Sequence, residues 1–217
     1  MIKWLEDAVF YEVYPQSFRD SNGDGIGDIP GITEKLEYIQ ELGCNALWIN
    51  PCFTSPFYDA GYDVEDYYSV APRYGTNEDL KKLFEAAHQR GMHVLLDLVP
   101  GHTAVTHPWF QESMKAEKNE YTDRYVWTDS LYKRMEDVKG IVSVLRGISP
   151  RPASCGVNCF STQPALNYGF ANITDAGWQQ PTDAPGPMAT REELKNIMRF
   201  WLTLGCDGFR VDMPVRW

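Results

Sequence analysis

The feature that most constrains the fold of this chain is a repeated order of helix, glycine and strand. In three places a segment with helical spacing of apolar residues ends at a glycine, and a short apolar segment follows; these glycines are Gly43, Gly91 and Gly205. Glycine is common where helices end because it adopts the left-handed backbone conformation without strain. Strands that alternate with helices pair in parallel through right-handed crossovers, so the repeat predicts an α/β fold.

The apolar segments predict four strands, at residues 8–14, 46–49, 94–98 and 208–212. Three helices are predicted from the apolar stripes Ile32 to Leu42, Leu80 to Ala87 and Leu194 to Leu202, with capping pairs Thr76/Asp79 and Thr190/Glu193 before the second and third. A long irregular stretch such as the one that follows the third strand is usually a functional insertion. We therefore expect strands one to three with helices one and two in residues 1–99, an inserted domain in residues 100–189, and helix three with strand four in residues 190–217.

Composition excludes several classes of function. The 217 residues carry 20 basic and 30 acidic side chains, a net charge of −10, so nucleic acid is not an expected partner. Charges interrupt the first twenty or so residues, and neither a signal peptide nor a membrane span is visible, which favours a cytoplasmic location. Cys155 and Cys159 could form a disulfide, but free thiols are favoured, and no Cys/His group has zinc spacing.

Ionisable residues stand where two of the predicted strands end. Asp97 and His102 follow strand three, and Arg210 and Asp212 close strand four. In α/β barrels the catalytic side chains come from the carboxyl ends of strands. An arginine beside a carboxylate keeps it charged, which suits a nucleophile. The residues alone leave two interpretations open, a catalytic carboxylate or a buried ion pair that holds two strands together.

Four motifs, in this order along the chain, resemble the α-amylase superfamily, glycoside hydrolase family 13: EVYPQSF at 12–18, GYDV at 61–64, DLVPGH at 97–102 and GFRVD at 208–212. The first motif and residues 20–28 (DSNGDGIGD) look most like the oligo-1,6-glucosidase branch, which includes α-glucosidases, sucrose isomerases and transglycosylating enzymes. The resemblance covers the whole chain. It implies the amino-terminal half, strands one to four, of a (β/α)8 TIM barrel with a long irregular insertion after strand three.

The resemblance also implies catalytic roles. Asp212 would be the nucleophile that forms a covalent glycosyl-enzyme intermediate, and Arg210 would keep it charged and oriented. Asp97 would be a supporting carboxylate that positions Arg210 and His102. The function implied is a retaining glycosidase that acts on α-glucosidic bonds of oligo- or polysaccharides and needs no organic cofactor.

Three residues would bind the sugar by the same resemblance. His102 would hydrogen-bond the sugar in the cleavage subsite, Tyr62 would stack on its ring, and Asp63 would accept hydrogen bonds from its hydroxyls. The alternative for Tyr62 and Asp63 is a surface turn after Gly61.

A retaining glycosidase needs a second carboxyl group, about 5–5.5 Å from the first, to protonate the leaving oxygen. The resemblance places that glutamate on a fifth strand and a further aspartate after a seventh, and this chain has neither strand. We therefore interpret the chain as the amino-terminal portion of an enzyme whose carboxyl-terminal half of the barrel is missing, and expect negligible turnover from the chain alone. Hydrolysis is the default reaction, although transglycosylation and isomerisation use the same intermediate.

Two other interpretations stay open. The chain could belong to a non-catalytic member of the family that serves as a sugar-binding or transporter accessory protein. It could also be a half barrel that completes its sheet between two copies, because an open sheet edge exposes unpaired backbone groups.

An acidic loop near the amino terminus predicts a metal site. Its oxygen donors alternate as in calcium-binding loops, although the twelfth position holds a glycine instead of the bidentate glutamate of an EF-hand. The resemblance favours calcium or magnesium as a structural ion, and the alternative is a hydrated acidic turn. The candidate ligands are Asp20, Asn22, Asp24, the Ile26 carbonyl and Asp28.

The chain departs from the family pattern at two positions. Gly101 stands before His102 where the family usually has asparagine, which removes a side-chain amide. Ala165 replaces the aspartate of the family's Pro-Asp-Leu-Asn block, so support for the insertion is less certain.

Overall fold

The computed structural model describes residues 2–133 and 143–213. Its strands are β1 (Phe10–Val13), β2 (Ala46–Ile49), β3 (Phe53–Thr54), β4 (Asp66–Val70), β5 (His93–Leu98), β6 (Ser143–Leu145), β7 (Cys155–Val157) and β8 (Gly208–Val211). Its helices are the 3-10 helix Lys3–Asp7 and the α-helices α1 (Pro15–Phe18), α2 (Ile29–Glu34), α3 (Leu36–Glu41), α4 (Asn77–Gln89), α5 (Pro108–Ser113) and α6 (Pro185–Leu204).

The main sheet confirms the predicted parallel α/β fold. It has four strands in the order β1-β2-β5-β8, and each neighbouring pair is parallel. The structure also contains two small two-stranded sheets that the sequence did not predict, β3 with β4 and the antiparallel pair of β6 with β7. The parallel register carries the ends of β5 and β8 to the same edge of the sheet.

The first predicted helix is two short helices in the structure. Ile32, Leu36 and Ile39 are fully buried as expected, whereas Leu42 is 54% exposed. The helix is interrupted at Lys35, whose backbone N–H donates to the Ile32 carbonyl three residues earlier, the pattern of a tighter turn. The apolar spacing is therefore right, but the helix is not continuous.

Helix α4 forms as its sequence predicts. The Thr76 side chain accepts a hydrogen bond from the Asp79 N–H, and the Asp79 carboxylate accepts one from the Thr76 N–H, which completes a capping box. Leu80, Leu83, Phe84 and Ala87 form the buried face. This helix leads into β5, whose far end carries Asp97.

Helix α6 begins earlier than predicted. Thr190 was expected to cap it, but the helix starts at Pro185 and Thr190 lies inside it, where its hydroxyl donates to the Gly186 carbonyl at 3.0 Å. Proline suits a first helical position because its missing N–H is not needed there. The predicted cap was wrong because a serine or threonine inside a helix can bond back to its own preceding turn.

The described residues form two compact units. The first takes in the residues up to 54, 67–98 and 198–211; the second takes in 55–66, 99–197 and the residues from 212. The first contains the four-stranded sheet, and Trp201 is fully buried there, stacked on Phe53 with 5.1 Å between ring centroids. The predicted domain boundaries after residue 99 and before residue 190 stay a prediction.

The second unit has an aromatic core of its own. Phe110 lies edge-on to Tyr125, with 4.9 Å between ring centroids, and is parallel to Trp127 at 6.0 Å. The Arg151 guanidinium lies 4.3 Å from the Trp127 ring centroid. The insertion is therefore a packed unit with little regular secondary structure.

All five cysteines are free thiols, as favoured from the sequence, and Cys155 is buried while Cys159 is exposed. None of the helices formed by residues 2–133 and 143–213 has the length and hydrophobicity that a bilayer crossing requires.

Candidate active site

In the first unit, Asp97 and Arg210 form an ion pair at the carboxyl ends of β5 and β8. The two residues are register partners, and Arg210 Nη1 donates to Asp97 Oδ1 at 3.0 Å and to Oδ2 at 3.2 Å. The Asp97 side chain is 0% exposed and that of Arg210 is 35% exposed. A buried carboxylate needs paired charge and hydrogen bonds to offset its lost hydration. Asp97 thus contacts Arg210 across two neighbouring strands, and the catalytic roles of the two residues stay predictions.

Trp48, which the sequence analysis missed, completes this arrangement. It lies on β2 opposite Leu95, so it faces the same side of the sheet as Asp97, two residues further along β5. Its indole N–H donates to Asp97 Oδ2 at 3.0 Å, and its ring lies 4.7 Å from Arg210 Cζ, within cation–π distance. The only signal in the sequence was a tryptophan in a short buried strand, which is also typical of a core residue.

In the second unit, Asp63 anchors the loop that carries Tyr62. Its side chain is buried, and its carboxylate accepts hydrogen bonds from the Ser55 hydroxyl at 3.0 Å and from the backbone N–H groups of Tyr58 and Asp59 at 2.8 and 3.0 Å. The contact of Asp63 with sugar hydroxyls stays a prediction. In this structure the residue has no exposed surface from which to make that contact.

This loop is held in an unusual backbone conformation. Phe57 and Ala60 have φ values of 60° and 54°, in the left-handed region that side chains other than glycine adopt at a cost. The hydrogen bonds to Asp63 therefore stabilise a conformation that the local sequence would not favour alone. The predicted alternative for this segment, a simple surface turn, does not describe so tightly bonded a loop.

Asp59 is the half-buried carboxylate of the same loop, and the sequence analysis missed it. Gln163 Nε2 donates to its Oδ2 at 2.6 Å. Burial raises the pKa of Asp59, the Gln163 hydrogen bond opposes that rise, and the charges of Asp63 and Asp212 add to it. Asp59 is thus close enough to Asp212 to feel its charge, and it keeps exposed surface that Asp63 lacks. Asp59 and Asp63 are four positions apart, and the sequence does not indicate which of the two carboxylates is exposed.

His102 is buried and has a hydrogen-bond partner on each ring nitrogen. Nε2 lies 3.0 Å from the Tyr62 carbonyl, to which it donates, and the Asn158 amide donates to Nδ1 at 3.0 Å. Burial lowers the pKa of His102, while the bond to Tyr62 and the charges of Asp212 and Asp63 partly offset this effect. A neutral ring with its proton on Nε2 fits these partners.

The predicted residues of the second unit therefore share one neighbourhood. Tyr62 contacts His102 through its carbonyl, Asp63 holds the same loop, and the half-buried Asp212 acts electrostatically on His102. Asn158 places a side-chain amide on His102. Gly101, which precedes His102 where the family usually has asparagine, cannot supply one. Ala165 packs in an apolar cluster with Val126 and Trp178, where a carboxylate would be desolvated.

The acidic loop at residues 20–28 is organised by its own hydrogen bonds. Asp20 accepts from the backbone N–H groups of Asn22, Gly23 and Gly25, Asn22 accepts from that of Asp24, and Asp24 accepts from that of Ile26. These backbone bonds lower the pKa of Asp20, with the Gly25 bond the largest cause. Asp28 instead caps α2 through the Gly31 N–H and also accepts from the Ser21 hydroxyl. Across the described ranges, the structure gathers no group of three or more His, Cys, Asp or Glu side chains suited to a metal ion.

Comparison with protein families and known proteins gives a consistent result. The profile of a family described as Alpha amylase, catalytic domain, matches residues 12–215. An oligo-1,6-glucosidase of a Bacillus species is 38% identical over 213 residues, which cover 98% of this chain and 39% of that protein. A trehalose synthase/amylase of Mycolicibacterium smegmatis is 43% identical over 215 residues, which cover 96% of this chain and 33% of that protein.

A solved structure shares the fold. The trehalulose synthase MutB of Pseudomonas mesoacidophila matches with a TM-score of 0.80 and 37% identity, covering 96% of this chain and 35% of its own. The chain thus spans about a third of the length of the proteins it matches. The fold predicted from the resemblance, the amino-terminal half of the TIM barrel, is confirmed.

Proposed function

The chain belongs to the α-amylase catalytic-domain family, and from that premise we propose that the full-length protein is a retaining enzyme acting on α-glucosidic bonds. The observation that carries the proposal is the hydrogen-bonded pair of Asp97 and Arg210 at the carboxyl ends of two parallel strands. Arg210 lies two residues before the proposed nucleophile Asp212. Catalytic residues of such barrels come from these strand ends. A sugar-binding module has no need of a carboxylate prepared for attack.

In the proposed reaction a carboxylate oxygen of Asp212 forms a bond to the anomeric carbon of the sugar. The glycosidic C–O bond breaks, its electron pair goes to the leaving oxygen, and that oxygen takes a proton from a second carboxyl group. Water or a sugar hydroxyl then attacks the anomeric carbon, releases Asp212 and returns a proton to that second group. We propose that the proton donor belongs to a part of the full-length protein beyond this chain.

The second unit supplies the proposed sugar contacts. Tyr62 offers a ring for stacking, and the buried His102, oriented by Asn158, holds the Tyr62 backbone through its carbonyl. Asp59 extends the proposal, because this partly exposed carboxylate, which the charge of Asp212 reaches, can accept hydrogen bonds from sugar hydroxyls while Asp63 holds the loop. The substrates proposed are α-linked glucosides, with no nucleic acid or membrane partner.

A structural calcium or magnesium ion in the acidic loop is part of the proposal. Carboxylate, amide and carbonyl oxygens are the donors that these hard cations prefer, and Asp20, Asn22 and Asp24 provide them within a short loop. Chelation is expected to lower the melting temperature of the full-length protein, and added calcium is expected to restore it. The metal site would be contradicted if chelation left the melting temperature unchanged and if Asp20→Asn melted at the same temperature as wild type. The loop would then be only a hydrogen-bonded turn.

A cytoplasmic location also belongs to the proposal. The five cysteines are free, and structural disulfides are usual in oxidising compartments. Fractionation of cells that express the full-length protein tests this location, and recovery outside the cytoplasm would contradict it.

The experiment that tests the proposed activity uses the full-length protein with maltose, isomaltose, trehalose, sucrose and starch. We expect turnover of at least one α-glucoside with retained anomeric configuration, and a loss of more than about 10³-fold in kcat for Asp212→Asn. Asp207→Asn is the matched control, because it makes the same change just before β8 and is expected to leave kcat within about 2-fold. Tight sugar binding without turnover by wild type would favour the accessory protein instead.

A further inference from the structure

Trp48 makes two different contacts with the Asp97–Arg210 pair. Its indole N–H donates to Asp97 Oδ2 at 3.0 Å, and the face of its ring lies 4.7 Å from Arg210 Cζ. Together with the Arg210 Nη1 hydrogen bonds to Asp97, these contacts close a triangle among three side chains on three neighbouring strands. Each side chain in the triangle is therefore held by the other two.

Tryptophan supplies both contacts from a single side chain. Phenylalanine keeps a ring face for the guanidinium but has no ring N–H, and leucine has neither. The pairing needs such support because Arg210 has a long side chain that is 35% exposed and would otherwise sample several rotamers. Asp97 needs it because each hydrogen bond to a buried carboxylate offsets part of its desolvation.

We propose that Trp48 is a positioning residue for the reaction. It fixes the orientation of Arg210, and thereby the carboxyl end of β8 that leads into Asp212. This inference rests on the proposed function for its consequence in catalysis, but its structural content does not depend on any activity. A displacement of a reacting group by about 1 Å can lower the rate about 10²-fold, even when the mutation is far from the chemistry. We therefore expect a mobile Arg210 guanidinium to lower kcat measurably.

The experiment compares three variants of the full-length protein. Trp48→Phe keeps the ring and loses the N–H, and Trp48→Leu loses both. Trp201→Phe is the matched control, because it also replaces a tryptophan by phenylalanine and removes a buried indole N–H. That N–H donates to the Tyr67 backbone carbonyl at 2.7 Å and not to an ion pair. Circular dichroism and the melting temperature establish that each variant folds.

We expect kcat to fall about 10-fold in Trp48→Phe and about 100-fold in Trp48→Leu, while KM changes less than about 3-fold. Trp201→Phe is expected to lower the melting temperature and to leave kcat within about 2-fold. If Trp48→Leu does not fold, Trp48→Phe decides the outcome. A Trp48→Phe variant whose kcat equals that of wild type would overturn the proposal.

A spectroscopic measurement tests the positioning without any substrate. The guanidinium Nη signals of Arg210 in nitrogen-15 NMR are expected to be separate in wild type and in Trp201→Phe, because rotation about the Cζ–Nε bond is hindered. They are expected to merge in Trp48→Phe. Unchanged Arg210 signals in Trp48→Phe would overturn the inference, whereas a wild type with separate signals and no turnover would contradict only the proposed function.

Discussion

Replacing Asp97 with asparagine removes the charge from the best-buried ion pair at the strand ends. Loss of one partner from a buried pair typically costs about 3–5 kcal/mol. Two features reduce this cost here, since the amide oxygen can still accept from Trp48 and the Arg210 side chain remains 35% exposed to water. We therefore expect Asp97→Asn to lower the free energy of unfolding of the full-length protein by about 2 kcal/mol.

Urea unfolding followed by circular dichroism measures this effect. The matched control is Glu34→Gln, which makes the same change in the Arg19–Glu34 pair, where the side chains are 45% and 50% exposed and the atoms Nε and Oε2 are 3.1 Å apart. An exposed pair of this kind contributes about 0–1 kcal/mol, so the control is expected to be nearly neutral. An equal loss of stability in both variants would refute the argument that burial of Asp97 makes its charge structurally important.

Two further predictions concern other parts of the chain. Burial opposes ionisation of Asp207, but hydrogen bonds from His93, the Val94 N–H and His88 outweigh this effect and lower its pKa. The stability that this carboxylate contributes is therefore present at neutral pH and is lost as the pH falls below about 4. Unfolding between pH 7 and pH 3 should show this loss in wild type, and an equally steep loss in Asp207→Asn would contradict it. Gly27→Ala should destabilise the protein by about 1–3 kcal/mol in urea unfolding, because the new Cβ would lie 2.1 Å from the Pro15 carbonyl oxygen, and a stable variant would show that the loop shifts freely.

Much of the sheet and its helices could be predicted because their signals are local. The apolar run at Ala46–Ile49 became β2 without change, and the capping box at Thr76 and Asp79 placed the start of α4. Gly91 has a positive φ, as expected for a residue that ends a helix. Such features depend on neighbouring residues, which is why spacing along the chain was sufficient.

Other parts of the fold depend on contacts that the sequence does not display. The pattern of apolar residues from Ile32 to Leu42 is the same for one helix or two, so it could not show the interruption at Lys35. The β3–β4 pair is short and rich in tyrosine, which is also typical of loops around a binding site. The start of α6 was missed because Thr190 has the chemistry of a cap and the helix extends beyond it.

The site shows the same division. Asp97, His102, Arg210 and Asp212 were singled out as candidates because they stand at predicted strand ends, and their roles, which the resemblance implied, stay predictions. Residues that support the site were missed because their contacts span long distances in sequence: Trp48 donates to Asp97, 49 positions away, Asn158 to His102, 56 positions away, and Gln163 to Asp59, 104 positions away.

The central claim, that Asp212 is the nucleophile of a retaining glycosidase, is tested most directly by trapping the covalent intermediate. The full-length protein is incubated with a fluorinated glucosyl fluoride, digested, and the labelled peptide is mapped by mass spectrometry. We predict one glucosyl label per protein on Asp212 and no label in Asp212→Asn. A label on a different residue, or an adduct that persists in Asp212→Asn, would contradict the account.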